Sequence, residues 1–491
     1  MLKEPSYEEE EEQESITCPE NAENEEFRNF KEEPGDDDGE NRHPTIRNSM
    51  LYTALLILKG MIGAGILSLP LIFKTFGILG GIILSLVIIY ISFFVAYFLG
   101  RSKDITQRYS YAVYSKLTMG VAGTIIIKVA LIVMLSTITV VQLIVFGDIF
   151  KGLSLLFYDI NVKILIIGIG IILLPFMFQK DISGITKFAY FGIIGLVIFY
   201  ITTVILFIYK YSKNDIFFEK SMLYPNGTFK ELFQSVGGYY NAYAFHLAYF
   251  SYYLPLKPRN TKTMMKSVII GIIIASLIYI SYGILFFLMY GNQINDSALK
   301  YLQKELSEAH KNNETNIILV LVICFLSFLL NASISTMTYF YLLKSHFIGL
   351  VKFTLKKISD KAKDSKKDIP LVDIKDDELT REDSSFFDAK EKDELLSIKK
   401  QFYITFGLYL YTIIMAISFD KIIILDSFNG STMANYINII APSIFYLYFS
   451  KGKKYYCEKT IALLNILFGI SHFSKSFWYF VKSFGITISL L

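Results

Sequence analysis

Long apolar stretches, separated by short polar breaks, run along the chain from residue 50 almost to its end. A bilayer core of about 30 Å needs roughly 20 apolar residues in a helix that crosses it, and stretches of this length recur. They lack the alternating apolar and polar positions of a barrel strand, so each satisfies its backbone as a helix. The pattern predicts an all-α polytopic membrane protein. Eleven spans are expected, at 50–73, 77–99, 122–149, 162–179, 187–209, 235–256, 267–290, 315–343, 401–419, 433–450 and 459–480.

The composition supports this class and adds a charged tail. With 53% hydrophobic residues, 19% charged residues and a mean hydropathy of +0.44, the 491-residue chain is not a soluble globular protein. The net charge of +4 hides an opening, residues 1–40, where 17 acidic residues against three basic ones give −14. Such a stretch buries too little surface to order itself, so residues 1–47 are predicted to be a disordered acidic cytoplasmic tail. The first span then serves as an uncleaved insertion signal.

A second polar segment divides the spans into two groups. Residues 350–400 carry mixed charges without a long apolar face, which predicts a charged cytoplasmic linker. Spans 1–8 then occupy residues 48–349 and spans 9–11 occupy residues 401–491. The three cysteines form no disulfide or metal pattern, and no P-loop, H-E-x-x-H or G-x-S-x-G motif occurs. Neither an enzyme nor a partner of nucleic acid is expected.

Basic residues and glycosylation sequons both indicate the orientation. Lys and Arg are retained on the cytoplasmic side, and they are dense in four short loops, at 101–116, 180–187, 257–266 and 451–459. The opposite loop at 210–231 also carries four lysines, which weakens the contrast. Sequons fall in loops that this orientation places outside, at Asn226, Asn295, Asn313 and Asn429. The chain is therefore predicted to be a glycoprotein with a cytoplasmic N-terminus, in the plasma membrane or a vacuolar or lysosomal membrane.

The first span contains an unusual run of small residues, KGMIGAGILSLP at 59–70. Glycine and proline weaken a helix, and non-helical backbone at membrane depth is tolerated only when it is buried in protein or lines a cavity. We therefore expect Gly63, Ala64 and Gly65 to interrupt this helix and to offer backbone groups to a ligand. The alternative is a groove of small residues for close helix packing.

The sixth span is a second candidate for an interrupted helix. It contains Gly237, Gly238, Asn241, His246 and Pro255 within an aromatic-rich stretch. Interrupted helices five spans apart indicate an inverted-repeat transporter with its site near the bilayer midplane. An amino acid zwitterion suits such a site, because its carboxylate meets the positive ends of half-helices and its ammonium meets free carbonyls.

Three segments resemble the amino acid/auxin permease family, which includes proton-coupled and vacuolar amino acid transporters. They are LKGMIGAGILSLPLIFKTFG at 58–77, AFHLAYFSYYLPL at 244–256 and GSTMANYINIIAPSIFYLYF at 430–449. The resemblance implies a LeuT-like five-plus-five inverted repeat with spans 1 and 6 broken. By position, it also implies substrate contacts from Gly63, Ala64, Gly65, Ala244, Phe245 and Tyr249.

The same resemblance suggests where a coupling ion could bind. The eighth span carries oxygens that could ligate Na⁺ against the first span, on Asn331, Ser333, Ser335 and Thr336, with Ser335 and Thr336 the principal pair. The alternative is that the hydroxyls among them bond to their own backbone four residues earlier.

Lys59 and His246 are the two ionisable candidates for coupling. A Lys inside an apolar segment is costly and therefore a functional hypothesis. Sodium-coupled relatives tend to have Asn at the position of Lys59 and proton-coupled ones tend to have Lys, so its ammonium could take the place of Na⁺. The alternative is that Lys59 snorkels to the membrane surface. His246 could relay protons or could be a neutral core residue.

These features predict a secondary active transporter of amino acids, working by alternating access as a proton or sodium symporter. The expected partners are the amino acid, the lipid bilayer and the coupling ion H⁺ or Na⁺, with no other cofactor. One rival is an exchanger or facilitator without ion coupling. Another is an amino-acid-sensing receptor, in which the acidic tail binds a cytoplasmic partner.

Overall fold

A computed structural model describes residues 48–178, 189–364, 398–419 and 422–483. Within these ranges the regular elements are helices, apart from one backbone bridge between Asn48 and Leu256. Among the described residues, six helices are long and apolar enough to cross a membrane, and shorter apolar helices accompany them. The prediction of an all-α polytopic membrane protein is confirmed. The tail at 1–47 and most of the predicted linker lie outside the described residues.

The first span, α1, is interrupted. It comprises the α-helix Met50–Met61, the 3₁₀ helix Ala64–Ser68 and the first two turns of the helix Leu69–Thr106. That last helix loses helical geometry at Gly77, whose φ of +68° needs glycine, and the remainder is α2. A side chain at Gly77 would also meet the backbone carbonyl of Tyr224.

The sixth and tenth spans are interrupted too. Span α6 comprises Phe229–Ala242, the 3₁₀ helix His246–Ala248 and Tyr249–Tyr253. Span α10 comprises Ile422–Ser431, Met433–Asn435, the π-helix Tyr436–Ile440 and Ala441–Phe449. The predicted breaks in spans 1 and 6 are confirmed.

The other spans are single helices. They are α3 at Tyr111–Ser154, which bends at Gly120, α4 at Val162–Met177, α5 at Ala189–Ser212, α7 at Thr261–Tyr290, α8 at Thr315–Asp364, α9 at Ile398–Ser418 and α11 at Tyr456–Ser483. A polar helix, Ala298–Lys311, connects α7 to α8. Side-chain caps start several helices, including a reciprocal capping box between Thr228 and Glu231 at α6.

The predicted boundaries differ most from the structure at three helices. Span 10 is predicted to begin at residue 433, whereas α10 begins at Ile422. The prediction misses the first turns because polar residues there lower the mean hydropathy. Helix α8 continues to Asp364, so residues 350–364 of the predicted linker are helical. Helix α3 begins at Tyr111, whereas span 3 is predicted to begin at residue 122. The additional first segment of α3 ends at the bend at Gly120.

The helices pack with the symmetry expected of a five-plus-five inverted repeat. In such a repeat, helices whose numbers differ by five are equivalent. Helix α2 packs on its equivalent α7, and α3 packs on its equivalent α8. Likewise α1 packs on α7 as α6 packs on α2, and α5 packs on α8 as α10 packs on α3. This arrangement brings the two broken helices α1 and α6 together between the two repeats.

The two ends of the helix bundle can be distinguished by their connections. We call the end at which α1 begins the N-terminal end, and the other the distal end. The distal connections pack on one another: Asn226 and Gly227 donate backbone N–H groups to the Thr75 carbonyl at 3.2 and 3.0 Å. Lys74 donates to the Ile294 carbonyl at 2.6 Å. The loops before α6 and before the connecting helix therefore lie at one end of the bundle.

Candidate functional site

The break in α1 leaves backbone groups without helical partners. The α-helix ends where Ile62 takes extended geometry, with φ −79° and ψ 98°, and Gly63 follows with φ −132° and ψ −146°. The carbonyls that end one helix and the first N–H groups of the next therefore meet at Gly63 and Ala64. Such a junction offers both hydrogen-bond acceptors and donors to a ligand.

The two predicted glycines at this break have different surroundings. Among the described residues other than Gly63 and its two chain neighbours, no heavy atom lies within 4 Å of the position that a Cβ on Gly63 would take. A Cβ on Gly65 would lie 3.2 Å from both the Cα and the Cβ of Ala242 in α6. Gly63 therefore borders open space, whereas Gly65 allows α1 and α6 to approach closely.

Hydrogen bonds from the hydroxyl groups of two tyrosines stabilise the break in α6. Tyr279 of α7 donates to the Ala242 carbonyl at 2.8 Å, which satisfies a group freed by the interruption. Tyr243 donates to Ser276 of α7 at 2.9 Å. Ala244 follows and is partly exposed. The irregular backbone of α6 is thus fixed against α7, beside the partly exposed Ala244.

The remaining predicted substrate residues divide between α1 and α2. The Cβ of Phe245 lies 3.8 Å from the position of a Cβ on Gly60, so Phe245 is near α1. Its ring stacks on His246 with a centroid separation of 4.2 Å. Tyr249 is fully buried, and its hydroxyl lies 2.8 Å from the position of a Cβ on Gly100 of α2. The structure therefore directs Tyr249 towards α2 and not towards the break of α1.

Lys59 joins three helices on the N-terminal side of the break. Its ammonium donates to the Asn331 Oδ1 and to the Ser335 Oγ, the latter at 2.9 Å, and both acceptors are buried in α8. Its Cε lies 2.8 Å from the position of a Cβ on Gly192 of α5. Lys59 lies about 14 Å along α1 at 1.5 Å per residue, and it reaches sideways instead of snorkelling to the surface.

The three hydroxyls predicted in α8 have different roles. Ser333 donates to the Leu329 carbonyl at 2.7 Å and Thr336 donates to the Ala332 carbonyl at 2.8 Å. Both hydroxyls therefore bond to the helix backbone four residues earlier, which is the alternative to Na⁺ binding. Ser335 instead accepts from Lys59. A Na⁺ bound at Ser335 would face the ammonium directly, so these residues do not fit the ion.

His246 is buried and bonded to backbone. Its Nε2 lies 2.8 Å from the Ser92 carbonyl of α2, and a carbonyl can only accept, so Nε2 carries a proton. Tyr111 donates to the His246 carbonyl at 3.1 Å. These contacts suit a neutral core histidine, and its part in a proton relay stays a prediction.

A buried carboxyl that the sequence analysis missed links three interrupted helices. Asp426 of α10 is 4% exposed. Its Oδ2 lies 3.0 Å from the hydroxyl of Ser68 in α1, and its Oδ1 accepts from the amide of Asn241 in α6 at 2.6 Å. The available signal was the apolar run I-I-I-L directly before Asp426, which marks a buried helix and not a loop.

The same helix overturns one predicted glycosylation site. Asn429 is 1% exposed inside α10 and donates its amide to Asn241 at 3.3 Å. Its predicted position in an outer loop is therefore wrong, because a helical, buried amide is closed to a glycan. The other three sequon residues are exposed in distal connections, at Asn226, Asn295 and Asn313.

A separate cavity of about 240 Å³ lies near the distal end, away from both breaks. Asp148 of α3, Lys300 and Gln303 of the connecting helix are among its lining residues. Asp148 is 4% exposed, like Asp426, and Gln303 donates to its backbone carbonyl at 2.6 Å. The cavity therefore holds a second buried acid that does not contact the broken helices.

Two comparisons with known proteins bear on this arrangement. A family model described as "Transmembrane amino acid transporter protein" matches residues 47–484. The chain is also 23% identical over 251 residues to the amino acid transporter AVT6C of Arabidopsis thaliana. That match covers 47% of the chain and 57% of the relative, so it spans little more than half the length of that protein.

Proposed function

Because this chain belongs to the transmembrane amino acid transporter family, we propose that it is a secondary transporter that moves amino acids across a membrane by alternating access. The observation that carries this proposal is the contact of two interrupted helices, where Gly65 of α1 meets Ala242 of α6 beside the open space at Gly63. Helix breaks at this depth are tolerated only where they are buried in protein or line a cavity, and in transporters they form the substrate site.

The chemistry of the breaks suits the backbone of an amino acid. The N–H groups that begin Ala64–Ser68 are donors for a carboxylate, and the carbonyls that end Met50–Met61 are acceptors for an ammonium. Ala244 and Phe245 line the corresponding break in α6. The side chain of the substrate would then extend towards the open space beside Gly63.

We infer that the coupling ion is the proton. The ammonium of Lys59 already occupies the oxygens of Asn331 and Ser335 that would bind a cation between α1 and α8. Two unit charges 4 Å apart repel by about 4 kcal/mol at an effective dielectric constant of 20, so Na⁺ would be disfavoured there. Proton coupling needs no second cation at this place.

The proposed orientation has the N-terminal end in the cytoplasm and the distal end outside it. The exposed sequon residues Asn226, Asn295 and Asn313 at the distal end support this side assignment. The positive loops 101–116 and 257–266 lie at the opposite, N-terminal end, as the retention of basic residues favours.

The test is uptake of a panel of labelled amino acids into proteoliposomes that contain the full chain, with imposed pH or Na⁺ gradients. We expect accumulation with an inward proton gradient and none with a Na⁺ gradient alone. Equilibration that ignores both gradients would indicate an uncoupled exchanger or facilitator. Binding without flux would indicate an amino-acid sensor, and Na⁺-driven accumulation would refute the assignment of the proton.

A further inference from the structure

Asp426 is a buried acid that has no basic partner among the residues that the structure describes. Within the described part of the chain its carboxyl forms no ion pair, and its hydrogen-bond partners are Ser68 and Asn241. A lone carboxylate inside a membrane protein is costly, and such residues are conspicuous functional candidates. The hydrogen-bond donors and acceptors around Asp426 indicate whether its carboxyl is ionised or protonated.

The hydroxyl of Ser68 has one proton and two neighbouring oxygens. It lies 2.8 Å from the Gly65 carbonyl and 3.0 Å from the Asp426 Oδ2. A carbonyl oxygen can only accept. If Asp426 is ionised, the single proton of Ser68 can be donated to only one of these two oxygens, so the carboxylate gains this hydrogen bond only when the Gly65 carbonyl loses it. If Asp426 is protonated on Oδ2, it donates to Ser68, which in turn donates to Gly65.

The other carboxyl oxygen already has its donor. The amide nitrogen of Asn241 donates to the Asp426 Oδ1, and the Asn241 carbonyl accepts from Asn429 at 3.3 Å. A continuous chain of donors and acceptors then runs from Asn429 through Asn241, Asp426 and Ser68 to Gly65. Its direction is consistent at every step when Asp426 carries one proton.

We propose that Asp426 is a proton-binding site whose occupation is required for the distal segments of α1 and α6 to close on α10. When these segments are apart, water from the distal side reaches the carboxylate, and a proton from that water forms the O–H bond on Oδ2. Closure then buries a neutral acid. This inference rests on the proposed transport function, since closure matters only if the protein alternates between open and closed forms.

Other titratable groups on the elements that pack against this part of α10 have separate partners. Tyr279 of α7 donates to the Ala242 carbonyl, Asp148 of α3 lines the distal cavity, and the ring of His472 in α11 stacks on Phe233. The buried phenols in the segment Phe229–Ala242 of α6 are Tyr239, which contacts Ser85, and Tyr240, which donates to the Asn438 carbonyl. The ammonium of Lys475 in α11 lies over the rings of Phe229 and Phe233. The segment Ala64–Ser68 carries no titratable side chain. A pH response of closure is therefore assigned to Asp426.

The first test measures protonation without transport. Infrared spectra of the purified full-length protein near neutral pH would be compared between wild type and Asp426→Asn. We expect the variant to lose the carbonyl-stretch band of a protonated carboxylic acid. Loss of carboxylate bands instead would overturn the proposal. If Asp426→Asn does not yield a monodisperse protein, Ser68→Ala serves, because removal of the acceptor should shift the same acid band to higher frequency.

The second test measures pH dependence with a matched acid. Exchange of labelled amino acid at equal pH on both sides is followed over a pH series. The exchange rate of the wild type should be constant at acid pH and then fall by up to tenfold for each further pH unit. For Asp426→Asn, the ratio of the exchange rates at acid and neutral pH should be near 1. Asp148→Asn removes an equally buried acid and should keep the wild-type response. An unchanged pH profile in Asp426→Asn would contradict the proposal, whereas absence of exchange in every protein would refute transport itself and leave the infrared result to stand.

Discussion

Replacing Lys59 by asparagine is the sharpest test of how α1 is tied to α8. The ammonium makes two charge-assisted hydrogen bonds, to Asn331 and Ser335, and a hydrogen bond to a charged group contributes about 1.5–3 kcal/mol. Their loss leaves two buried acceptors without donors, so we expect destabilisation by about 3 kcal/mol. The shorter asparagine side chain of the Lys59→Asn variant adds an oxygen beside these two, which creates a cation site.

Sodium should therefore stabilise the variant and not the wild type. A ligand at 10 times its dissociation constant stabilises the folded state by about 1.4 kcal/mol, and at 100 times by about 2.7 kcal/mol. The assay is thermal unfolding of the purified protein in detergent, in NaCl and in choline chloride of equal ionic strength. Lys59→Met is the matched control, because it removes the charge without supplying an oxygen, and it should unfold early in both salts.

Two results would refute the reasoning about Lys59. The first is stabilisation of the wild type by NaCl over choline chloride, because the ammonium then leaves room for Na⁺. The second is equal stability of Lys59→Asn and wild type in choline chloride, because the bonds to α8 then contribute nothing. In proteoliposomes, the same variant should lose uptake or gain a dependence on Na⁺.

Three further predictions concern the breaks and the orientation. Gly65→Val should abolish uptake while the protein still inserts, because the valine side chain would press on Ala242. Gly63→Ala should insert and stay folded, since the added methyl group meets open space. Normal uptake by Gly65→Val would count against the close contact of α1 and α6. Asn226→Gln should remove a glycan seen as a mobility shift on gels of protein made in eukaryotic cells, and Asn429→Gln should change nothing, whereas a shift caused by Asn429→Gln would place that residue in a loop. His246→Gln should keep the pH response of uptake if the histidine is a core residue, and loss of that response would make it a proton relay.

The sequence was sufficient to predict the membrane class and the two breaks because both follow from local chemistry. Continuous apolar stretches have few alternatives to helices in a bilayer, and Gly63 and Gly65 weaken the helix in which they lie. Lys59 was predictable as a functional residue because a charge stands out against an apolar background. Its bonds to Asn331 and Ser335 were harder to predict, since 272 and 276 positions separate the partners.

The start of α10 could not be read from hydropathy alone. Asp426, Asn429 and Ser431 lower the apolar average of its first turns, and a sequence read by that average places them in a loop. Asp426 and Asn429 are nevertheless buried, because Asn241 of α6 forms hydrogen bonds with both of them. Similarly, the choice of Tyr249 as a substrate contact depended on which face of a short helix meets α1, which only the packing of α6 on α2 decides.

The contacts on the two sides of the break in α1 bear on the proposed transport function. Lys59, before the break, is bonded to α8, whereas Ser68, after it, is bonded to α10 through Asp426. A continuous helix would transmit any displacement of one contact to the other, so both ends would open together. In the proposed mechanism, the irregular backbone at Gly63 lets the halves of α1 move separately, each against its own partner. Alternating access requires this independence, because one end of the site must open while the other stays closed.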